Sequence, residues 1–410
     1  MKIKKITAGR VFDSRAIPTV EATVHLENGI CSSASVPSGA STGSHEAHEK
    51  RDGGKRYLGK DVSAAIAGIK GEISDLLKGH DVREQRLLDE LMIKADGTEN
   101  KSRLGANAIL AVSEAIARTA AKAEGIPLYK YIGGINHMGM PVPMMNILNG
   151  GLHAPNNADI QEFMIMPLFS TFEERMEAGT VIYRLLGDIL KQKGKSTAIG
   201  DEGGYAPDIR DDKEGIELLL TAAARSGFDE SKIKIALDAA ANEWKSEKGY
   251  TLVKSKKQYD RDGLIGLWME LTHNYPIVSI EDPFAEDDFE SFAILTEELR
   301  GTAQIVGDDL FVTNTRRLAM GITQGAASAI LIKPNQIGTV TETVDAVKTA
   351  KAHSMGTVIS HRSGDTEDTF IADLAVGLNA GQIKTGAPAR SERTAKYNRL
   401  LRIERVLLNQ

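Results

Sequence analysis

Ionisable side chains end several short apolar segments in the second half of this 410-residue chain. The residues that end the segments IKIAL, IVSI, QIVG, AILI, TVIS and QI are, in order, Asp238, Glu281, Asp308, Lys333, His361 and Lys384. Three carboxylates brought to one place repel one another, and Mg²⁺ relieves such repulsion because it prefers oxygen ligands. The basic groups beside them suit an anionic substrate, with a carboxylate or a phosphate ester as the natural choice. The pattern therefore predicts a Mg²⁺ site next to an anion-binding site.

Two simpler explanations exist for the same residues. Lys333 and Lys384 could neutralise the carboxylates directly in a ring of salt bridges, without a metal. A single aspartate at the end of a strand could also cap the next helix. Six consecutive ionisable ends favour one shared site over six separate caps.

The elements that would position these residues are buried strands alternating with helices. Asp308, Lys333, His361 and Lys384 follow one another at separations of 25, 28 and 23 residues, and one βα unit has about that length. A series of such units closes a TIM-type barrel, whose active site lies at the C-terminal ends of the strands. The early segments MMNIL and EFMIM are too close together to enclose a helix, so we expect the barrel to be irregular there.

The first part of the chain has a different pattern. Residues 19–27, TVEATVHLE, alternate apolar and polar side chains, which predicts a half-buried strand, and a second strand is expected over 30–36. Helical spacing follows over 62–76, 87–93 and 106–124. We therefore predict an α/β protein, with a small α+β capping domain over residues 1–130 and a β/α barrel over 135–410.

Polar groups in two further segments are expected to face the same site. His153 follows a doubled glycine, and Gln161 and Glu162 enter an apolar strand, where unpaired polar groups would be costly. Asp201 and Glu202 stand between glycines, which lets the backbone approach a ligand closely. The alternatives are a packed core histidine for His153 and a surface turn for Asp201 and Glu202.

The composition excludes several classes of protein. A net charge of −6 provides no general attraction for nucleic acid or anionic lipid. No apolar run is long enough to cross a bilayer, and the N-terminus does not read as a signal peptide, so we expect a cytoplasmic protein. The single cysteine, Cys31, is expected to be a small buried strand residue and excludes an internal disulfide.

Over nearly its whole length the sequence resembles the enolases, phosphopyruvate hydratases, of the prokaryotic type. The matching segments are DSRAIPTVE, PSGASTGSHEAHE, LGANAIL, QEFMIMP, GDEGGYAP, SIEDPFAEDD, GDDLFVTN, LIKPNQIGT, SHRSGDTEDTFIADLAVG and QIKTGAPARSER. The resemblance implies a Mg²⁺-dependent lyase that interconverts 2-phospho-D-glycerate and phosphoenolpyruvate in glycolysis and gluconeogenesis. It also implies a homodimer, or an octamer built from dimers.

The resemblance assigns roles to individual residues. Lys333 matches the base that removes the proton from carbon 2, and Glu202 matches the acid that assists loss of the hydroxyl group. The implied ligands of the first Mg²⁺ are Asp238, Glu281 and Asp308, and Ser41 matches the ligand of a second, substrate-dependent Mg²⁺. The implied substrate contacts, besides Lys333, are His153, Gln161, Glu162, His361, Arg362, Ser363 and Lys384.

Further expectations concern protonation and motion. Lys333 must be neutral to act as a base, and we expect neighbouring cations and burial to lower its pKa. Glu202 should be protonated when it acts. The stretch PSGASTGSHE lacks the spacing of a P-loop, and we expect it to be a mobile lid that hinges at Gly39 and Gly43 and carries Ser41 to the site.

Rival functions stay open at this stage. Another acid dehydratase or a racemase of the same superfamily would also use a barrel and Mg²⁺. An aldolase that forms a Schiff base on Lys333 would not need the metal. A surface-binding or scaffold role, with some of the protein at the cell surface, could accompany catalysis.

Overall fold

The computed structural model describes residues 1–40, 43–136 and 138–409. The first part of the chain forms a three-stranded antiparallel sheet in the order β1-β2-β3, with helices packed against it. Its elements are β1 (Ile3–Phe12), β2 (Pro18–Leu26), β3 (Cys31–Ser35), α1 (Ser63–Gly68), α2 (Ser74–Leu77), α3 (Gln85–Asp96), α4 (Ala106–Glu124) and α5 (Leu128–Gly133). A π-helical turn, Ile69–Ile73, joins α1 to α2.

Strand β2 and helix α4 form the centre of this part. Apolar and polar side chains alternate along β2, and α4 is long and largely apolar. Val20, Ala22 and Val24 are fully buried on one face of β2, as the period of two predicts. Helix α4 packs across β2 and β3 and ends at Gly125, whose φ of 70° is the left-handed conformation that glycine adopts without a steric penalty. Cys31 begins β3 and is half-buried, whereas the sequence suggested full burial.

The rest of the described chain forms a closed eight-stranded barrel, in the order β10-β11-β12-β13-β14-β4-β5-β6, with helices outside it. Its strands are β4 (Val142–Asn149), β5 (Glu162–Pro167), β6 (Ile233–Asp238), β10 (Ile277–Glu281), β11 (Gln304–Gly307), β12 (Ala329–Ile332), β13 (Gly356–Ser360) and β14 (Gly381–Lys384). A small sheet after β6 contains β7 (Lys245–Ser246), β8 (Gly249–Thr251) and β9 (Gln258–Tyr259). The predicted fold, an α/β protein with a smaller N-terminal unit and a TIM-like barrel, is confirmed.

The helices of the barrel part fill most of the connections between its strands. They are α6 (Phe172–Gln192), α7 (Asp212–Arg225), α8 (Arg261–Asn274), α9 (Phe289–Glu298), α10 (Thr315–Gln324), α11 (Pro334–Ile337), α12 (Val340–Ala352), α13 (Phe370–Gly377) and α14 (Ser391–Leu408). Among the described residues, no helix combines the length and the apolar character that crossing a membrane requires.

The barrel departs from the all-parallel pattern where the sequence predicted an irregularity. Strand β5 runs antiparallel to both β4 and β6, whereas the other neighbouring strands of the barrel are parallel. A parallel pair needs a crossover of about a dozen residues or more, usually with a helix. The connection from Asn149 to Glu162 contains only a short 3-10 turn, Gly151–His153, so β5 returns antiparallel beside β4.

One buried acidic residue lies where the N-terminal helices meet the barrel. Glu114 is on α4, is only 3% exposed, and lines a small cavity together with Asp365, Asp368 and Lys396. Burial, reinforced by the charge of Asp368, raises the pKa of Glu114 well above its ordinary value of 4.5. Lys396 donates to Asp365 and to the carbonyl groups of Thr366 and Glu392, so its three N–H bonds point to acceptors other than Glu114.

The raised pKa of Glu114 makes the stability of the protein depend on pH. A carboxyl whose pKa is higher in the folded state favours folding below its unfolded pKa and loses that contribution as the pH rises towards the folded pKa. We therefore expect Glu114→Gln to be more stable than the natural protein at pH 8. The difference in unfolding free energy should grow with pH above about 4.5, by at most about 1.4 kcal/mol per pH unit.

Thermal or denaturant unfolding at pH 5.5 and pH 8 measures this effect. The matched control is Glu124→Gln, because Glu124 lies on the same helix with a partly exposed side chain. A constant difference between Glu114→Gln and the natural protein at both pH values would contradict the assignment of a protonated Glu114.

Candidate active site

The residues predicted at the strand ends are brought together at one end of the barrel. Asp238, Glu281 and Lys384 are the last residues of β6, β10 and β14, and the other three directly follow β11, β12 and β13. All of them except Glu281 line a cavity of about 20 Å³, and Glu281 reaches this group through Lys384. Of the residues singled out in the sequence, the cavity is lined by His153, Gln161, Glu162, Glu202, Asp238, Asp308, Lys333, His361, Arg362, Ser363 and Lys384, and Gly39 also contributes to its wall.

Lys384 is the cation at the centre of the carboxylates. Its Nζ lies 2.8 Å from both oxygens of Glu281, 3.0 Å from Asp238 Oδ2 and 3.2 Å from Glu162 Oε1. Burial alone would lower the pKa of Lys384, but these carboxylates raise it well above its ordinary value. Lys384 is therefore a permanent positive charge in this site.

Lys333 is paired with the third carboxylate. Its Nζ donates to Asp308 Oδ2 at 2.5 Å, while Gln336 donates to Asp308 Oδ1 at 2.8 Å. Burial acts to lower the pKa of Lys333, but the Asp308 carboxylate more than offsets it, so the pKa is raised. The expectation of a lowered pKa is wrong for this arrangement, because the adjacent Asp308 anion stabilises the ammonium form by more than burial destabilises it.

The three predicted metal ligands offer only oxygen atoms, which suits Mg²⁺. Burial, together with the charge of Asp238, raises the pKa of Glu281 well above its usual range, so additional positive charge would stabilise this carboxylate. The donor set therefore fits a divalent cation. Lys384 and Lys333 nevertheless form the salt bridges that the metal-free explanation predicts. A bound metal ion and these two lysines would therefore compete for the same carboxylate oxygens.

The closest groups of possible metal-ligand atoms differ from the predicted metal ligands. Within the described part of the chain, the triplets whose ligand atoms lie within 4.8 Å of one another are His153, Glu162 and Glu202, and Asp282, Asp308 and Asp309. Only Asp308 belongs to both the predicted ligands and one of these triplets.

Glu202 lines the same cavity as Lys333 but has different partners. Its Oε2 accepts a hydrogen bond from Asn146 Nδ2 at 3.0 Å and lies 3.1 Å from His361 Nε2, and its Oε1 is 3.8 Å from His153 Nδ1. Burial would raise the pKa of Glu202, but the two imidazoles beside it lower this pKa well below its usual range. Burial also lowers the pKa of His361, to about 4. Glu202 is therefore ionised at neutral pH and His361 is neutral.

The predicted anion-binding residues lie where the N-terminal part meets the barrel. Arg362 donates to both oxygens of Glu46, at 2.9 and 3.0 Å, and the hydroxyl of Ser363 accepts from the backbone N–H of Ala40 at 2.7 Å. The stretch that begins at Pro37 thus docks against the loop after β13. Ser41, the predicted ligand of a second metal, lies outside the described residues.

Several buried polar atoms at the site have no hydrogen-bond partner among the described residues. They are Asn146 Oδ1, His153 Nδ1, Gln161 Oε1, Glu162 Oε2 and His361 Nε2. His361 Nε2 lies 3.1 Å from Glu202 Oε2, but this contact does not have the geometry of a hydrogen bond. Buried polar groups are normally paired, so this concentration indicates a site shaped for a polar ligand.

The sequence analysis missed the residues that hold the predicted ones in place. Glu46 pairs with Arg362, Gln336 with Asp308, Asn146 with Glu202 and Arg393 with His361. Asn146 alone had a usable signal, because a polar residue inside the apolar segment MMNIL needs a buried partner. The others lie in loops or helices where polar residues are ordinary.

Comparison with known proteins finds enolases over nearly the whole chain. The family model described as the enolase N-terminal domain matches residues 3–132, and the one described as the enolase C-terminal TIM barrel domain matches residues 137–410. An enolase from Methanopyrus kandleri is 54% identical over 407 residues, which cover 98% of this chain and 95% of that protein.

Proposed function

The chain belongs to the enolase family of lyases, and we propose that it dehydrates 2-phospho-D-glycerate to phosphoenolpyruvate with Lys333 as the base and Glu202 as the acid. The observation that carries this proposal is the placement of the two groups. Both line one small cavity, yet each is held by its own partners, Asp308 for Lys333 and Asn146 for Glu202. A base and an acid in separate surroundings can act on two different bonds of one substrate, here the C–H bond at carbon 2 and the C–O bond of the leaving hydroxyl.

The base must lose its proton before it acts. Asp308 now favours the ammonium form of Lys333, so a change that draws the Asp308 carboxylate towards another cation would lower the pKa of Lys333. Coordination of Asp308 to Mg²⁺ is such a change. The remaining cations, Arg362 and Lys384, already act to lower the pKa of Lys333.

The acid must gain a proton before it acts, and the ligand-free arrangement keeps Glu202 ionised. A substrate with a phosphate and a carboxylate brings negative charge close to Glu202, and a nearby like charge raises the pKa of a carboxyl. We therefore propose that substrate binding protonates Glu202. The unpaired Nδ1 of His153 and the Nε2 of His361 are available to orient the hydroxyl that leaves.

For the metal we propose two Mg²⁺ ions in each active site. Asp238, Glu281 and Asp308 would hold the first, and Ser41, together with the substrate, would hold the second. When bound, these ions supply electrostatic stabilisation of the negative charge that develops on the substrate carboxylate. Lys384 would add a positive charge to the same region, and Arg362 and Ser363, which line the cavity, would hold the phosphate. Gln161 and Glu162 complete the proposed substrate contacts.

A spectrophotometric assay tests the proposed function directly. We expect the ultraviolet absorbance of the enol product to appear from 2-phosphoglycerate only with Mg²⁺, to disappear on addition of a chelator, and to return when Mg²⁺ is restored. Ser41→Ala should alter the dependence of the rate on Mg²⁺ concentration. The control is Ser255→Ala, an exposed serine between β8 and β9, which should leave this dependence unchanged. Folded protein that forms no product with Mg²⁺ would overturn the proposal.

The capping and assembly roles are also proposals. Residues 1–130 would act as a cap on the barrel over 135–410, with the Ser41 stretch closing over the bound substrate. The protein would work as a homodimer or as an octamer of dimers in the cytoplasm, within glycolysis and gluconeogenesis, and light scattering measures the assembly. A secondary presence at the cell surface would need a direct binding assay on the intact protein.

A further inference from the structure

Arg393 is a fully buried guanidinium that contacts the active site from behind. It lies in the first turn of α14 and donates through one terminal nitrogen to His361 Nδ1 and to the carbonyl oxygen of Arg362, each at 2.6 Å. Its other terminal nitrogen donates to the carbonyl oxygens of Ser363, at 2.5 Å, and Asp201, at 3.1 Å. Arg393 thus links the segment that carries Glu202 to the loop after β13.

The fit around this side chain leaves little freedom. The four N–H bonds of the two terminal nitrogens have four acceptors, so each has one. A Cβ atom at Gly386 would lie 2.7 Å from Arg393 Cδ, so a glycine at that position makes room for the arginine. The Nε atom has no hydrogen-bond partner among the described residues and lies 3.4 Å from Glu392 Oε1, so the terminal nitrogens hold this buried group in place. Breaking one of their hydrogen bonds would leave another charged donor unpaired.

The contact with His361 allows only one state of the ring nitrogen Nδ1. A guanidinium donates hydrogen bonds and cannot accept them, so His361 Nδ1 must be the acceptor and must carry no proton. Because His361 is neutral at ordinary pH, its one ring proton is then on Nε2. Nε2 is the nitrogen that lies 3.1 Å from Glu202 Oε2 and borders the cavity.

We propose that Arg393 is a positioning residue that locks His361 in the tautomer with the proton on Nε2, so that the imidazole presents a donor beside Glu202. The opposite tautomer would direct the lone pair of Nε2 at the Glu202 carboxylate. It would also carry its proton on Nδ1, where the N–H group would face an N–H donor of Arg393. The Nε2–H group lies beside the Glu202 carboxylate and is available to a hydroxyl or anionic group bound next to it. The benefit to catalysis rests on the proposed function, whereas the tautomer does not.

Nitrogen NMR of the natural protein, labelled with ¹⁵N in histidine, tests the tautomer without substrate. We expect the Nδ1 signal of His361 to be that of an unprotonated nitrogen and the Nε2 signal to be that of an N–H group. His361→Asn identifies the signals by their disappearance. A protonated Nδ1 in the natural protein would overturn the proposal, and this result does not depend on any variant folding.

Kinetics of Arg393→Ala test the consequence. We expect kcat to fall by roughly 10²-fold with little change in KM, as for other misplaced catalytic groups, and the His361 signals to move towards a mixture of tautomers. Guanidinium at low millimolar concentration should restore part of both, because it can occupy the space of the lost side chain. Loss of activity without any change in the tautomer would show a merely structural role and would contradict the proposal.

Arg399→Ala is the matched control. Arg399 lies on the same helix and pairs with Asp373, away from the cavity, so its loss should leave the His361 tautomer unchanged and should not respond to guanidinium. The two proposals can fail separately. If the natural protein has the expected tautomer but no dehydratase activity, the proposed function is wrong, and active protein with the other tautomer overturns the role of Arg393 alone.

Discussion

Lys333→Ala should abolish the exchange of the carbon 2 proton of 2-phosphoglycerate with solvent and should reduce turnover by roughly 10²–10⁴-fold or more. The physical reason is that Lys333 directly follows β12 and that its amine lines the same cavity as Glu202. Alanine cannot accept the proton, and the proton next to a carboxylate is a very weak acid. Proton NMR in deuterated buffer measures the exchange, and the absorbance of the enol product measures the turnover.

The interpretation of this variant needs a control for the loss of the ion pair. Lys348→Ala removes an exposed lysine from α12 and should leave both rates unchanged. Asp308 loses its cation in Lys333→Ala, so Mg²⁺ binding should be measured as well, and it should persist. Exchange at the normal rate in Lys333→Ala would show that another group is the base. Trapping of the substrate on Lys333 by borohydride would instead favour the Schiff-base aldolase.

Glu202→Gln should separate the two halves of the reaction. The amide keeps the size of the side chain but cannot deliver a proton to the leaving hydroxyl, so dehydration should fall by roughly 10²–10⁴-fold. Lys333 is untouched, so exchange of the carbon 2 proton should continue. The ratio of exchange to dehydration, followed in one sample by NMR, is therefore expected to rise sharply in this variant.

The matched control for Glu202→Gln is Glu298→Gln, an exposed position at the end of α9. Its ratio of exchange to dehydration should equal that of the natural protein. If Glu202→Gln lost exchange as completely as Lys333→Ala, the division of roles between the two residues would be wrong. If it kept normal dehydration, the proton donor would have to be another group.

The sequence could predict that the six strand-end residues come together, because each stands at a position that the barrel makes informative. Asp238, Glu281 and Lys384 end apolar segments, and parallel strands in a closed barrel end at the same face, so residues far apart in the chain had to converge. The irregular start of the barrel was also predictable, because the distance between β4 and β5 leaves no room for a crossover helix.

The pairings inside the site were not predictable in the same way. Lys384 could have paired with any of the carboxylates that line the site, and its contacts with Asp238 and Glu281 join residues 146 and 103 positions apart. Burial acts to lower the pKa of Lys333, and this pKa is raised chiefly because Asp308 Oδ2 lies 2.5 Å from Nζ, with a smaller contribution from Glu281. No spacing in the sequence encodes such a distance, because an electrostatic energy depends on separation and burial in three dimensions.

The sequence by itself determined the fold class, the family and the end of the barrel where chemistry takes place, because strand periods, segment lengths and motif order are local properties of the chain. The tertiary structure alone decided which groups hold the reacting ones. Glu46 and Arg362 are 316 positions apart, and Arg393 and His361 are 32 apart on different elements. Their partners and the ring nitrogen that carries the proton are fixed by packing, since a buried charge must find its complement wherever the fold places one.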